Sequence, residues 1–147
     1  MTEATSKPLV FTDTNIWLYT LLANQDANKA ETANQLIDQH TGNVAMSSQV
    51  VIEIVANLVK KASLDETSLQ AIIEESYRNH KVINVDNTTM VEASRLRTRY
   101  TLSYWDSLIV AAALQMGASI LYSEDMHNGL VIEKQLTIVN PFASQEN

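Results

Sequence analysis

The sequence predicts an α/β protein, a mainly parallel sheet covered by helices on both faces. Three observations predict it. Short apolar runs with β-branched members alternate along the chain with longer segments of helical spacing. The runs are apolar throughout, as in strands buried on both sides. Residues suited to helix starts follow directly after two of them, at Asp13-Thr14-Asn15 and at Ser47-Ser48.

Taken in order, Leu9-Val10-Phe11 is the first strand, placed just after a proline. Asp13 then caps a helix that opens with Ile16-Trp17-Leu18-Tyr19. Residues 28–39 form a second, amphipathic helix with Ala30, Ala33, Leu36 and Ile37 at helical spacing. Val44-Ala45-Met46 is the second strand, and the helix after it covers residues 49–61. Leu64-Asp65 separates it from a helix over residues 66–78. Residues 82–85 read as a third strand. A helix over 88–100 carries Met90, Ala93, Leu96 and Leu102 as one apolar stripe. The most apolar helix covers 104–116 and is closed by Gly117. Residues 119–122 are the fourth strand, Asn128-Gly129 marks a turn, and residues 136–139 are the last strand.

A chain of 147 residues fits one domain around one core. We expect a flexible tail over residues 1–8, a single domain over 9–142 and a short tail over 143–147. Three glycines and two prolines leave no room for a low-complexity linker. The absence of cysteine excludes disulfides, thiolate chemistry and Cys-based zinc sites. The longest apolar run, residues 108–114, is far short of the roughly 20 residues a bilayer requires, and the first residues carry no signal pattern. A cytoplasmic protein is expected. The formal charge of −7 argues against a protein that coats nucleic acid non-specifically. It does not argue against an enzyme whose carboxylates hold metal on a phosphate substrate.

Four carboxylates stand where carboxylates are costly. Glu53 lies in Val50-Val51-Ile52-Glu53-Ile54-Val55, flanked by apolar side chains. Asp106 lies at the start of the most apolar helix, where a helix N-terminus favours negative charge. Asp13 and Asp125 follow the first and fourth strands, at the ends where open parallel sheets bind ligands. Capping, a turn or an exposed helix face accounts for each one singly. A converging acidic cluster accounts for all four together. It suits Mg²⁺ or Mn²⁺, hard ions that take oxygen ligands, and the chemistry such ions perform on phosphodiesters needs no side-chain nucleophile.

Asn15 and Ser123 are supporting candidates, each placed to hydrogen-bond a site carboxylate or a metal-held water. His40, His80 and His127 fall at helix ends or in loops and are expected on the surface. Arg95 and Arg99 share a helix face while Arg97 points elsewhere. These arginines form either a solvated face or a rim that contacts phosphate.

Together these segments resemble the PIN domain, and in particular the VapC-like ribonuclease toxins of toxin–antitoxin pairs. The matching pieces are Phe11-Thr12-Asp13-Thr14-Asn15, the Glu53 helix, Ser103-Tyr104-Trp105-Asp106-Ser107-Leu108-Ile109, and Leu121-Tyr122-Ser123-Glu124-Asp125-Met126-His127-Asn128-Gly129. The ending Ile138-Val139-Asn140-Pro141-Phe142 is also similar. The resemblance implies a three-layer α/β/α sandwich and Mg²⁺-dependent endonucleolytic cleavage of RNA. It implies a metal site on Asp13, Glu53, Asp106 and Asp125, a homodimer, and a small antitoxin that blocks the site. The chain departs from the pattern at Ser123, where threonine is frequent.

Two other functions fit parts of the pattern. A PIN-like module that binds RNA or protein without cutting has no need of all four acids. A phosphohydrolase with an aspartyl nucleophile fits Asp13, but Asn15 stands where such enzymes usually carry a second Asp, and little chain is left for a substrate-selecting cap.

Overall fold

The computed structural model describes residues 7–22 and 26–145. Most of the expected N-terminal tail and the last two residues of the C-terminal tail lie outside the described residues. The sheet is built from β1 (Val10–Thr12), β2 (Val44–Ser47), β3 (Lys81–Ile83), β4 (Ile120–Tyr122), β5 (Val131–Ile132) and β6 (Leu136–Val139). The helices are α1 (Thr14–Leu21), α2 (Ala27–Gln39), α3 (Ser48–Ala62), α4 (Glu66–Asn79), α5 (Asn87–Tyr100) and α6 (Tyr104–Gln115), and Ala143–Gln145 forms a 3₁₀ turn.

The strand order is β3-β2-β1-β4-β6-β5. All neighbours pair in parallel except β5 with β6. The expected α/β sandwich with a mainly parallel sheet is the observed one. β1 lies inside the sheet, between β2 and β4. The chain leaves β1 for β2 on one side, while β4 leads to β6 on the other. The order therefore reverses between β1 and β4, and ligand crevices open at the carboxyl ends of strands at such a reversal.

The buried faces explain the elements. Val10, Phe11, Ala45, Met46, Leu121 and Ile138 are fully enclosed from both sides of the sheet. In α6 every residue from Ser107 to Ala113 is buried, so this helix has no polar face along most of its length. Its small side chains, Ala111, Ala112 and Ala113, let it pack closely on β2 and α5. The helix ends in a Schellman turn. The Gly117 N–H donates to the Leu114 carbonyl at 3.0 Å and the Ala118 N–H to the Ala113 carbonyl at 3.1 Å. Gly117 takes φ +75°, a backbone that favours glycine.

Three local expectations are corrected. The third strand ends at Ile83 because the Val85 N–H turns away from the sheet to donate to Ser48 Oγ at 3.0 Å. The stripe on α5 does not include Met90, which is 45% exposed. The buried position is its neighbour Thr89, which completes a capping box with Asp86 and donates its hydroxyl to Gln115 Oε1 at 2.6 Å. Strand β5 was not anticipated. It has two residues and turns into β6 through Glu133 and Lys134, both at positive φ and neither a glycine. Contacts from elsewhere in the fold hold that turn: Arg95, Arg99 and the Tyr100 hydroxyl all reach the Glu133 carboxylate.

The packing of α6 gives a direct test. Ala112→Leu, which forces a larger side chain into a fully enclosed position, is expected to cost about 1–3 kcal/mol in a denaturant melt. Val91→Ala, on the exposed face of α5, is expected to stay within about 0.5 kcal/mol of the parent. Equal effects would mean that α6 is not packed as described.

Candidate active site

The site forms where β1 and β4 end. The first residue after β1 is Asp13, and its backbone N–H donates to the Tyr122 carbonyl at the end of β4 (3.0 Å). Its side chain caps α1, accepting from the Thr14 N–H at 2.7 Å. The second oxygen accepts from Ser123 Oγ at 3.0 Å. Ser123 is fully buried, so this hydroxyl serves the carboxylate and not solvent. Capping and site membership, which the sequence posed as alternatives for Asp13, are therefore the same geometry.

Glu53 reaches the cleft from the middle of α3. Its Oε1 accepts the Thr14 hydroxyl at 2.5 Å, and its Oε2 accepts from Gln49 Nε2 at 3.4 Å. Asp106 comes from the first turn of α6. The N-cap there is Ser103, whose Oγ accepts the Asp106 N–H at 3.1 Å, so Asp106 is a first-turn acid rather than the cap. Asp125, exposed three residues beyond β4, accepts from Asn15 Nδ2 at 2.8 Å. All four carboxylates line one cleft of about 290 Å³, together with Thr14, Asn15, Gln49, Asn57, Trp105 and Ile109. The two supporting candidates, Asn15 and Ser123, each hold one of the four.

Neighbouring acids are sorted by their partners. Glu124, beside Asp125 in sequence, forms an ion pair with Lys29 at 2.5 Å and accepts the Tyr19 hydroxyl at 2.8 Å. It ties the first two helices to the end of β4. Glu74, Glu92 and Glu133 are likewise ion-paired, and none of these pairs includes a cleft acid.

This leaves concentrated negative charge in the cleft. Burial pushes the Asp13 carboxyl up to about 6, against the lowering effect of its hydrogen bonds from Thr14 and Ser123, and the charges of Glu53 and Asp106 add to the rise. Burial also raises Asp106, opposed by Ser103 and reinforced by Asp125 and Glu53. Among the described residues, no three His, Cys, Asp or Glu side chains stand in an arrangement that would by itself enclose a metal ion. The donor set nonetheless fits a hard divalent ion. It offers only oxygens, no Lys or Arg among the described residues forms an ion pair with it, and Mg²⁺ typically takes one or two carboxylates directly and keeps several waters.

Sequence reasoning assigned no role to Thr14, Gln49, Asn57 or Trp105. Gln49, Glu53 and Asn57 recur every fourth residue and so share one face of α3. That polar series inside an apolar helix was the available signal. The histidine expectation holds only for exposed His127. His40 is half-buried, with its ring nitrogen 2.9 Å from the Leu36 carbonyl and its ring edge-on to Tyr122. His80 packs on Trp17 at 4.8 Å, and burial lowers its pKa. Arg95 and Arg99 do share a face, and both engage Glu133.

The family model for the PIN domain matches residues 10–127. No curated protein sequence matches the chain significantly. Among solved structures, a toxin–antitoxin complex from Klebsiella pneumoniae contains a chain 20% identical to this one, with a TM-score of 0.67 over 90% of this chain and 97% of that one. DNA-bound VapBC from Salmonella typhimurium aligns at 18% identity and TM-score 0.65, again over 90% and 97%. Mycobacterium tuberculosis VapC20, described as a sarcin-ricin-loop-cleaving toxin, aligns at 22% identity and TM-score 0.63 over 79% of this chain and 89% of that one.

The raised Asp13 carboxyl carries a prediction about stability. Between the ordinary carboxylate value of 3.8 and about 6, the folded chain holds a proton that the unfolded chain has lost. Stability therefore falls as pH rises through that window. Asp13→Asn keeps an acceptor for the Thr14 N–H and removes the charge. In chelator at pH 7 it is expected to be more stable than the parent, by about 1–3 kcal/mol, and to lack the parent's decline between pH 4 and 6. A variant that melts below the parent at pH 7 would show that Asp13 is a structural cap whose charge the fold needs.

Proposed function

Because the chain belongs to the PIN domain family, we propose that it is a metal-dependent endoribonuclease that hydrolyses RNA phosphodiester bonds, and that it is the toxin of a toxin–antitoxin pair. One observation carries the reading. Four carboxylates from four separate segments of the chain line a single cleft at the carboxyl ends of the central strands. The solved structures that share the fold include toxin–antitoxin complexes and a toxin described as cleaving the sarcin-ricin loop.

In this reading Asp13, Glu53, Asp106 and Asp125 hold Mg²⁺ or Mn²⁺, directly or through water. When bound, the ion supplies Lewis-acid polarisation of the phosphoryl oxygens and lowers the pKa of the attacking water. The remaining work belongs to the chain. Ser123 and the Thr14 N–H fix the two oxygens of Asp13. Thr14 fixes Glu53, and Asn15 draws Asp125 toward the cleft. Such preorganisation keeps the carboxylates from reorganising as charge develops. It also accounts for a nuclease with a net charge of −7, since bound cations turn a cleft that repels phosphate into one that attracts it. Its site of action would be the cytoplasm, as a homodimer restrained by a small antitoxin.

Single-stranded RNA is expected to be cut with Mg²⁺ or Mn²⁺ and left intact in chelator. Asp106→Ala is expected to lose at least about a hundredfold in rate, about 2.7 kcal/mol of transition-state stabilisation. Undiminished cleavage by that variant would refute the assignment. A cognate antitoxin is expected to seat an Arg or Lys among the four carboxylates, because an enclosed acidic cleft focuses negative potential and Arg pairs with carboxylates in a bidentate manner. Its inhibition should weaken at least about tenfold when that residue becomes Ala. A complex structure with the antitoxin bound only outside the cleft would contradict this.

A further inference from the structure

A second hollow, of about 560 Å³, adjoins the acidic cleft and shares Gln49, Glu53 and Trp105 with it. Its remaining walls are mainly apolar, with Ile52, Val85 and Leu108. Two side chains there are anomalous for a surface with no task. The Trp105 indole is 63% exposed, although it sits beside a site acid at the start of the most buried helix. Tyr104 packs edge-on against it, ring centroids 5.3 Å apart, so the indole plane is supported. The second anomaly is Gln49. It is 9% exposed, and its side-chain oxygen is buried without a hydrogen-bond partner. The orientation of the amide is determined by its neighbours. Its nitrogen lies 3.4 Å from Glu53 Oε2 and 3.3 Å from the Trp105 carbonyl, both acceptors, so the oxygen is the atom left over.

From this geometry we propose that the hollow is a nucleobase subsite beside the cleavage centre. Trp105 is the stacking platform, and Gln49 Oε1 accepts from an exocyclic amino group of the base. The inference rests on the ribonuclease reading above and adds to it a substrate preference. The chemistry favours a base over an apolar side chain of a partner protein. The exposed indole lines both the acidic cleft and the hollow, and unstacked bases bind on aromatic faces. A methyl or phenyl group would leave the Gln49 oxygen unsatisfied at a cost, whereas the amino group of a base brings the missing N–H. The Gln49 oxygen is buried in the free chain, so engaging a base requires the Gln49 side chain to turn and give up its two long hydrogen bonds.

The test uses the full chain carrying Asp106→Asn, so that binding is measured without cutting. Six-nucleotide oligo(A), oligo(C) and oligo(U) are titrated in Mg²⁺ while tryptophan emission is followed. Trp17, 8% exposed, is a buried internal reference. Oligo(A) and oligo(C) are expected to quench emission and bind more tightly than oligo(U), whose one base-edge donor, N3–H, is flanked by two carbonyl oxygens that face the Gln49 oxygen unfavourably. Adding Trp105→Ala is expected to weaken binding about tenfold and abolish the quenching, with Trp105→Phe retaining part of the affinity. Adding Gln49→Leu is expected to keep the stacking and erase the preference over oligo(U). No quenching by any of the three, or binding indifferent to Trp105→Ala, overturns the subsite. A preference unchanged by Gln49→Leu overturns the role of that residue. Cleavage is read separately, with Asp106 restored. If Trp105→Ala cuts RNA at the parent kcat and KM, the subsite is refuted and the nuclease reading stands. If the oligonucleotides bind as described but the parent never cuts, the nuclease reading fails instead.

Discussion

The register between β1 and β4 governs the rest of the site. Three paired positions, Val10 with Ile120, Phe11 with Leu121 and Thr12 with Tyr122, bring the ends of two strands that are more than a hundred residues apart to the same level. Asp13 then bonds β4 through its own N–H, and Ser123 returns a hydroxyl to the Asp13 carboxylate. A one-residue slip would turn every side chain on the strand to the opposite face. It would remove Asp13 from Ser123 and bring polar neighbours into a core where Phe11 and Leu121 are fully enclosed. Burial of these apolar side chains thus fixes the register, and the register sets two of the four carboxylates.

The other two depend on helices that the core holds equally firmly. Val50, Val51, Ile54 and Leu58 bury one side of α3 and leave Gln49, Glu53 and Asn57 to face the cleft. The Ser103 cap begins α6 so that Asp106 falls in its first turn, just ahead of the run of buried residues. Burial raises the carboxyls of Asp13 and Asp106, and the neighbouring cleft charges add to the rise, so ionising them works against this arrangement. The fold tolerates it because the apolar contacts that place the acids are far more numerous than the acids themselves. Strain of this kind is common where function and stability conflict.

Much of this was legible in the residues. Strand runs such as Val44-Ala45-Met46 and caps such as Ser47 are local signals, and the structure follows them to within about two residues. The four acids stood out because each occupies an apolar segment or an element end, and all four meet in the cleft. Features that depend on distant partners were not legible. Strand β5 leads into a turn with no glycine or asparagine to announce it, where Arg95, Arg99 and Tyr100 engage Glu133 from another part of the chain. Thr89 is buried instead of Met90 because Gln115, from another helix, satisfies its hydroxyl. His80 is half-buried because it meets Trp17 across the fold. No spacing pattern encodes such pairings.

The central claim is that the four carboxylates act as one cation-binding centre. Its most direct test is Mn²⁺ binding followed by electron paramagnetic resonance, which separates bound from free ion, in the parent chain and in the pair of variants Asp13→Asn and Asp106→Asn. Binding that saturates in the parent and weakens at least about tenfold in each variant, about 1.4 kcal/mol, is the predicted result. Mn²⁺ bound with the same affinity in the parent and in both variants would contradict it, because the cleft acids would then not be what holds the ion.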